Sequence, residues 1–497
     1  MKKLFITTAI DYVNAFPHAG HALEKIQADV ISRYYRNLGN DVFFLTGTDE
    51  NSLKNVQSAI KEGIATQALV DRNAKKFFEL KEALNLSIND FIRTTEKRHI
   101  LGVQKLWQAC QKDIYKKTYQ GLYCVGCEAF YKESELIDGL CPEHKTKPEL
   151  VEEENYFFRL SKYQNQLKTL IESDKIEIIP LSRKNEVLSF IERGLEDICI
   201  SRSAERAHHW GIDVPDDSSQ KIWVWFDALS NYITSLGYAE NDKKFQEWWQ
   251  ENDNILHVIG KGILRFHAIY WPAMLLSAGL NLPRKIFVHG YLTFEEQKMA
   301  KSLGNVIDPF DLVEKYGRDI IRYFFIREFS SFEDGNFSEK RIKERYNSDL
   351  AQGIGNLLSR ILALGEQYGH SISLEDNNLE SQTKQIEIEY HQSFQEFRFN
   401  DALAKVWDLI NILNKFITDN KPWENLENNK SLFLEDLSTL ILSLGKVALL
   451  LRPVMPETSK KILETLGLSN SKETEWKNLK VRLQIGEPLF PKLESRI

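Results

Sequence analysis

A buried strand that passes directly into a helix is the first feature of the chain, and it limits the fold more than any other. Residues 3–10, KLFITTAI, are apolar and β-branched enough for a buried parallel strand. Residues 40–50, NDVFFLTGTDE, predict a second such strand that ends in a polar loop. Between them, apolar residues recur every three or four positions, as one face of a helix does, until Gly39 ends the pattern: Leu23, Ile26, Val30, Tyr34 and Leu38. Strands that alternate with helices in this way predict an open α/β sheet of the Rossmann type.

The alternation of strands and helices is interrupted once and later stops. It runs through residues 1–115, gives way to clustered cysteine, glycine and charge over 116–215, and resumes over 216–340. Residues 341–497 carry helical patterns only, including two apolar stripes: Ile354, Leu357, Leu358, Ile361 and Leu364, then Leu403, Val406, Trp407, Ile410, Leu413 and Ile417. We therefore predict a Rossmann-type catalytic domain in two halves, 1–115 and 216–340, around a connective insertion, followed by an all-α helical bundle at 341–497.

Composition limits the cellular compartment and the kinds of partner that the protein can have. Among 497 residues 42% are hydrophobic, which suffices for large cores, yet no run of about 18 apolar residues is present to cross a membrane. The net charge of −7 argues against a uniformly basic surface, but local patches such as residues 339–345, EKRIKER, suffice for nucleic-acid binding. Five cysteines do not make a disulfide framework, so grouped cysteines indicate metal binding or catalysis. We expect a cytoplasmic protein that does not bind membranes.

Two histidines flank a glycine where the first strand passes into the helix, in the sequence HAGH at residues 18–21. The N–H groups at the start of a helix favour phosphate, and the carboxyl ends of strands in open α/β sheets are where ligands bind. His18 and His21 are three residues apart, so both point the same way and can donate to phosphate oxygens, while Gly20 leaves a flat surface for adenine. A histidine pair at this place is also compatible with simple helix capping or packing.

A metal site is predicted in the insertion. Cys124, Cys127, Cys141 and His144 form the pattern C-x2-C-x13-C-x2-H, whose two close pairs can close a tetrahedral site on one Zn²⁺. Since the protein fills all four positions, the zinc is expected to be structural rather than catalytic. The alternative is that these side chains are buried together by chance.

A second candidate phosphate loop, FEEQKMAKSLGN at residues 294–305, carries Lys298 and Lys301. Alone, two lysines in such a loop are typical of a solvated surface. Together with HAGH, however, KMAKS resembles the signature pair of class I aminoacyl-tRNA synthetases. Further segments are similar to bacterial methionyl-tRNA synthetases, with a likeness that runs to about residue 425: ITTAIDYVNAFPHAGHALEKIQADV, FFLTGTDENS, GLYCVGCEAFYKESELIDGLCPEH, ISRSAERAHHWGI, VWFDALSNYI, FHAIYWPAMLLSAGL, KMAKSLGNVIDPFDLVEKYGRD and KPWE.

The resemblance implies a methionine–tRNA ligase that forms methionyl-adenylate from L-methionine and ATP with Mg²⁺, and then charges tRNA(Met), both initiator and elongator. His18, His21, Lys298 and Lys301 would be the catalytic residues, and with Gly20 they would bind ATP. The methionine pocket would use Asp49 for the α-ammonium group, together with Ile10, Tyr12, Trp225, Leu229, Tyr232, Phe266 and His267. In the helical bundle, Asn356, Arg360 and Trp423 would read the anticodon.

Other interpretations stay open at this point. The isoleucyl, valyl and leucyl relatives carry a large editing insertion, for which the 276 positions between His21 and Lys298 leave little room. A catalytically inactive tRNA-binding relative would not need both lysines and both histidines. A small-molecule adenylyltransferase would leave the zinc pattern and the bundle unexplained. Because nothing after about residue 480 resembles an appended dimerisation domain, we expect a monomer.

Three positions depart from the family pattern. Ala300 replaces a serine of the lysine signature, which removes a hydroxyl but no charge. Gly262 stands where the family has an aspartate that contacts the ATP ribose, so that contact is in doubt. Asp11 stands where the family often has proline or tyrosine, and the sequence offers no physical reason for it.

Overall fold

A computed structural model describes residues 2–124, 129–143, 145–240, 242–294, 297–298, 307–375 and 377–493. The chain forms two compact units, Met1–His289 and Gly290–Ile497. The finer division at residues 115, 215 and 340 stays a prediction. In the described part of the chain, no helix combines the length and the apolar character needed to span a membrane.

The first unit contains a parallel sheet whose strands alternate with helices. Its strands are β1 Lys3–Thr8, β2 Asp11–Tyr12, β3 Asp41–Asp49, β4 Asp90–Arg93, β5 Ile114–Cys124, β6 Ala129–Tyr131, β7 Glu149–Phe158, β8 Glu177–Ile179, β9 Ile198–Cys199, β10 Ser201–Ser203, β11 Asp213–Val214, β12 Asp217–Ile222, β13 Ile255–Gly260 and β14 Lys285–His289. Its helices are α1 Ala19–Asn37, α2 Leu53–Glu62, α3 Thr66–Ala83, α4 Lys97–Ala109, α5 Gln164–Glu172, α6 Leu181–Glu192, α7 Val224–Leu229, α8 Asn231–Thr234, α9 Lys243–Phe245 and α10 Trp271–Ala278.

The main sheet has the order β2-β3-β1-β13-β14-β8, with β4 also paired to β3, and its pairs are all parallel among the described residues. This confirms the predicted Rossmann-type sheet. β1 lies between β3 and β13, so its side chains are covered on both faces, and Phe5 and Ile6 are fully buried. β1 is the strand that the sequence predicts over residues 3–10. Because it lies inside the sheet, a ligand crevice is expected at its carboxyl end.

Helix α1 follows the apolar stripe of the sequence with one exception. Leu23, Ile26, Val30 and Tyr34 are buried, as predicted. Leu38 is 50% exposed, because the helix ends at Asn37 and Leu38 is already its C-cap residue. Gly39 follows with a φ of +80°, the left-handed conformation that ends helices.

The region predicted as an insertion adds antiparallel sheets. β5, β6, β7 and β9 form one with the order β6-β5-β7-β9, in which the long strands β5 and β7 pair along almost their whole length. β10, β12 and β11 form a smaller one. These antiparallel pairs differ from the parallel main sheet, whereas β8, from the same region of the sequence, belongs to that main sheet.

The second unit is mainly helical, as predicted, and both apolar stripes are buried in it. Its helices are α11 Pro309–Tyr316, α12 Arg318–Glu328, α13 Glu339–Arg345, α14 Asn356–Tyr368, α15 Glu380–Gln395, α16 Phe399–Asn420, α17 Pro422–Asn428, α18 Lys430–Leu451 and α19 Pro456–Thr465, and a ten-residue π-helical stretch, Tyr346–Gly355, leads into α14. Its strands are β15 Leu292–Phe294, β16 Gln297–Lys298, β17 Gly335–Phe337, β18 Ile372–Ser373 and β19 Lys480–Val481. The pair β18–β19 is a correction to an all-α bundle, and at two residues per strand it is too short for a sequence pattern to reveal.

Candidate active site

The two histidines of HAGH lie at the N-terminus of α1, just past the carboxyl ends of β1 and β2. His18 is the N-cap residue, and its Nδ1 accepts a hydrogen bond from the Gly20 backbone N–H at 3.1 Å. The His18 backbone N–H in turn donates to Nδ1 of His21 at 3.0 Å. The two side chains thus form a reciprocal cap of the kind usually made by serine and glutamate.

The cap fixes the protonation pattern of both rings. Since Nδ1 of His18 and Nδ1 of His21 both accept hydrogen bonds, each neutral imidazole carries its proton on Nε2. The rings stack with centroids 3.7 Å apart, and the His21 ring also packs edge-on against Phe77 at 5.1 Å. The result is a rigid pair of Nε2–H donors beside the N–H groups of a helix start, an arrangement that suits an anion.

Gly20 has a structural reason that the sequence did not reveal. A Cβ added there would lie 2.9 Å from Cε1 of the His18 ring, which is closer than carbon atoms approach. Glycine therefore allows the capping ring to lie against the first turn of the helix. The adenine surface expected at Gly20 stays a prediction.

A buried charged cluster lies directly beside the histidines, and the sequence analysis missed it. Lys25, only 3% exposed, contacts Oδ2 of Asp11 and Oε1 of Glu24, each at 2.8 Å. The other oxygen of Glu24, Oε2, lies 3.0 Å from Nε2 of His289 at the end of β14. Oδ1 of Asp11 lies 3.8 Å from Nε2 of His21. The cluster gives Asp11, which the sequence left without a reason, a buried counter-ion.

The electrostatics of this cluster favour the charged forms of Glu24 and Lys25. Burial raises the pKa of Glu24, but the charge of Lys25 and the His289 hydrogen bond outweigh it and bring that pKa to about 2. Burial lowers the pKa of Lys25, yet Asp11 and Glu24 reverse the direction, so the pKa is raised overall. For Asp11 burial prevails over Lys25 and the pKa is raised.

Seven of the residues predicted to hold methionine pack into or against one core of the first unit. Leu229, Tyr232, Phe266 and His267 are buried, and Ile10, Tyr12 and Trp225 are partly buried against them. The rings of Trp225 and Phe266 stack in parallel, with centroids 3.8 Å apart, and Tyr12 meets Trp225 edge-on at 6.4 Å. The side chains thus come together in an aromatic wall that suits a polarisable thioether, and their binding of methionine stays a prediction.

Tyr232 and His267 share a buried hydrogen bond with a defined direction. Nδ1 of His267 donates to the Ile263 carbonyl at 3.0 Å, so Nε2 must accept from the Tyr232 hydroxyl, which lies 2.6 Å away. Burial lowers the pKa of His267 to about 4, so the ring is neutral at pH 7. Burial also raises the pKa of Tyr232, which keeps its hydroxyl protonated.

Asp49 lies at the carboxyl end of β3, beside the aromatic wall. It is buried and pairs in register with Tyr12 of β2.

A second polar group that the sequence analysis missed connects the end of β3 to α7. Asn51 donates to Oδ2 of Asp227 at 2.7 Å, and Oδ1 of Asp227 lies 2.6 Å from Nε2 of the buried His99. Since α7 also carries Trp225 and Leu229, this contact links the segment after β3 to a helix that contributes to the aromatic wall.

A cavity of about 810 Å³ adjoins the aromatic wall on the side of the antiparallel sheets. Phe266 belongs to both, and Trp223 and Tyr270 line the cavity beside it. Arg202 and Arg206 lie over the ring of Tyr123, at 5.7 and 4.7 Å from its centroid. The remaining charged residues of the lining include cations and carboxylates: Lys117, Lys132, Arg193 and Arg265, and Glu135, Glu153, Glu196 and Asp197.

Two of the four predicted zinc ligands lie within the described residues. Cys124, at the end of β5, and Cys141 are both buried, at 1% exposure. Cys127 and His144 lie outside the described residues, and no group of three or more metal-binding side chains occurs among those inside. The predicted quartet therefore stays a prediction.

The lysine loop is described in part. Lys298 belongs to β16 and pairs with Thr293 of β15, whereas Ala300 and Lys301 lie outside the described residues. Gly262 lies in the helical turn Lys261–Ile263 that follows β13. The ATP contacts expected from these lysines stay predictions.

In the second unit, the three residues predicted to read an anticodon lie on α14 and α17. Asn356 is exposed, and the guanidinium of the half-buried Arg360 contacts Oδ1 of Asn414 and Oγ1 of Thr418, each at 3.3 Å. Trp423 is 45% exposed, so it is not a core residue of the bundle.

The parallel sheet with its histidine pair at the first strand-to-helix crossing defines a class I aminoacyl-tRNA synthetase, and two family models agree. One, described as tRNA synthetases class I (M), matches residues 4–149 and 144–362, and another, described as anticodon-binding domain of tRNA ligase, matches residues 376–488. Methionine–tRNA ligase of Thermotoga maritima is 42% identical over 99% of this chain and 81% of its own, and that of Brucella suis is 41% identical over 95% and 93%. The chain therefore belongs to the methionyl-tRNA synthetase family, and its activity is that of a methionine–tRNA ligase.

Solved structures agree with this assignment. Mycobacterium tuberculosis methionyl-tRNA synthetase in complex with methionyl-adenylate is 38% identical and superposes with a TM-score of 0.93 over 99% of this chain and 100% of that one. The apo form of the same enzyme gives 36% identity and a TM-score of 0.86, with 99% of each chain covered.

Proposed function

We propose that the histidine pair, the aromatic wall and Asp49 together form the site where this ligase makes methionyl-adenylate. The observation that carries the proposal is the reciprocal cap of His18 and His21, which leaves both rings with Nε2–H donors at a helix start. Neutral histidines that only capped the helix would not need to stack face to face at the end of a ligand crevice.

The activation step needs no enzymic nucleophile. The methionine carboxylate attacks the α-phosphorus of ATP, the bond to the β-phosphate oxygen breaks, and pyrophosphate leaves. Catalysis then rests on holding the two substrates together and on stabilising the charge that develops on phosphate oxygens. His18 and His21 donate to those oxygens, and Lys298 and Lys301 neutralise the pyrophosphate side. Mg²⁺ supplies further neutralisation when it is bound with ATP.

Selection of methionine rests on shape and polarisability. Asp49 binds the α-ammonium group, and the stacked rings of Trp225 and Phe266 pack on the thioether. Ile10, Tyr12 and Leu229 close the pocket, and the Tyr232–His267 pair presents it with a fixed, neutral polar edge.

A structural zinc ion fits the donor set of the insertion. Cys124 and Cys141 are buried thiols on segments that bracket the predicted site, and thiolates with one imidazole are ligands that Zn²⁺ prefers. Cys127 and His144 would complete the tetrahedron. The zinc would hold this segment together and take no part in the reaction.

The transfer step carries methionine to the 3′ end of tRNA(Met), initiator and elongator alike. The cavity beside the aromatic wall offers arginines and aromatic rings, the groups that bind phosphates and stacked bases of single-stranded RNA, so we assign the 3′ end to it. Asn356, Arg360 and the exposed Trp423 bind the anticodon. The enzyme acts as a cytoplasmic monomer.

Methionine-dependent exchange of labelled pyrophosphate into ATP, measured with and without tRNA, tests the proposal. The wild-type chain should catalyse exchange without tRNA and prefer methionine to leucine, isoleucine and cysteine. His21→Ala should cost about 2 to 4 kcal/mol of barrier, as lost charge-stabilising donors do, with little change in methionine affinity. No exchange by the wild-type chain would indicate an inactive relative, and preference for another amino acid would indicate a different class I synthetase.

A further inference from the structure

Lys25 holds a buried ammonium group next to the phosphate-binding histidines. Its Nζ lies 2.8 Å from Oδ2 of Asp11, 2.8 Å from Oε1 of Glu24 and 3.1 Å from the carbonyl oxygen of Ala9. The contacts with Glu24 and with the Ala9 carbonyl are hydrogen bonds, and the contact with Asp11 is an ion pair. Asp11 therefore cannot turn away from Lys25 without leaving a buried charge unpaired, which is strongly unfavourable.

The second oxygen of Asp11 faces the histidine pair. Oδ1 lies 3.8 Å from Nε2 of His21, and this nitrogen carries the proton because Nδ1 accepts the His18 N–H. A carboxylate at this distance favours the tautomer with Nε2–H and attracts the ring toward one orientation. At 3.8 Å the carboxylate is beyond hydrogen-bond distance, so its effect on the ring is electrostatic.

Lys25 also reduces the electrostatic objection to an aspartate at this place. A bare carboxylate within reach of His21 would repel the phosphates of ATP, whereas the buried ammonium group 2.8 Å away, which Asp11 shares with Glu24, offsets part of its charge. The two residues thus depend on each other. This agrees with the departure of Asp11 from the proline or tyrosine usual in the family.

We propose that Asp11, fixed by Lys25, is a positioning residue that orients the His21 ring for the activation step. The proposal rests on the proposed role of His21 at the phosphates. Asp11 acts through the ring and does not contact the reacting atoms. The alternative is that the Asp11–Lys25 pair merely joins the strand end to α1 and contributes to stability alone.

A double-mutant cycle, measured by pyrophosphate exchange, distinguishes the positioning role of Asp11 from a purely stabilising role. Asp11→Asn should lower kcat about tenfold while the methionine KM stays within about twofold, as for a lost orienting partner. In a His21→Ala background the same substitution should change kcat less than about twofold, since no ring is left to orient. Exchange by the wild-type chain is measured first, so that failure of the proposed function is seen separately.

Asp29, which lies on α1 together with His21 and Lys25, provides a matched control. It is fully buried and pairs with Arg33 at 2.7 Å, but it contacts Ser87 and neither histidine. Asp29→Asn should lower the melting temperature without changing kcat, in both backgrounds. The double variant Asp11→Asn, Lys25→Met removes both charges of the pair, so the net charge of the cluster is kept, and it should show the same kcat as Asp11→Asn. An equal loss of kcat from Asp11→Asn with and without His21, or a loss of melting temperature only, would overturn the proposal.

Discussion

Replacing Tyr232 with phenylalanine isolates one hydrogen bond in the proposed methionine pocket. The ring keeps its contacts with His257, at 4.2 Å between centroids, and with Trp271, at 5.9 Å, so packing is retained. What is lost is the hydroxyl that donates to Nε2 of His267 at 2.6 Å, where both side chains are buried. His267 cannot compensate by changing tautomer, because its Nδ1–H is bonded to the Ile263 carbonyl. A buried acceptor left unpaired costs about 1 to 3 kcal/mol, so Tyr232→Phe should lower the free energy of unfolding by this amount.

Urea denaturation of the full chain, followed by circular dichroism, measures that cost. Tyr270→Phe is the matched control, since Tyr270 is buried in the same aromatic region but its hydroxyl makes no hydrogen bond among the described residues. The control should change the free energy of unfolding by less than about 0.5 kcal/mol. The directional bond from Tyr232 to His267 would be refuted if the two variants were equally stable.

Three further outcomes follow from the structure. The pKa of His267 is lowered to about 4 in the folded chain, so the unfolded chain binds a proton first as pH falls below 6.5. This residue should therefore cost about 2 kcal/mol of folding stability between pH 7 and pH 5. His267→Asn should flatten that part of the plot of unfolding free energy against pH relative to wild type. Cys141→Ala should release one equivalent of zinc, measured by atomic absorption, and increase hydrogen exchange over residues 116–150, and metal retained at full stoichiometry would exclude Cys141 as a ligand. Trp423→Ala should weaken tRNA(Met) binding by about 1 to 3 kcal/mol, as loss of a stacked base does, while adenylate formation without tRNA stays within about twofold; unchanged tRNA affinity would remove Trp423 from the anticodon site.

The sequence predicts well those features that depend on neighbours along the chain. The strand at residues 3–8, the buried face of α1 and both stripes of the bundle follow from periodicity, since one buried face repeats every two or 3.6 residues. Periodicity locates the end of a helix less well, which is why Leu38 was wrongly included. Periodicity also does not predict the exposure of Trp423, because a tryptophan near the start of a helix suits a core and a binding surface equally.

The polar groups that support the site could not be found in this way. Glu24 and His289 are 265 residues apart, and His99 and Asp227 are 128 apart, so only the fold brings them together. In the sequence, Glu24 and Lys25 look like an ordinary solvated pair beside an apolar stripe. In the folded chain Lys25 contacts the Ala9 carbonyl and Asp11 of β2, and Glu24 contacts His289 of β14.

The segment from Ala9 to Tyr12 contacts both the aromatic wall and the charged cluster beside the histidine pair. Successive side chains of an extended segment point to opposite sides. Ile10 and Tyr12 accordingly pack against the aromatic core, whereas Asp11 meets Lys25 and faces His21. The carbonyl of Ala9 is held by the same ammonium group. If Ile10 and Tyr12 hold methionine and His21 binds phosphate, as we propose, the methionine side chain presses on a backbone that is anchored to the residues that orient His21. A shift of this segment would then disturb methionine selection and activation together.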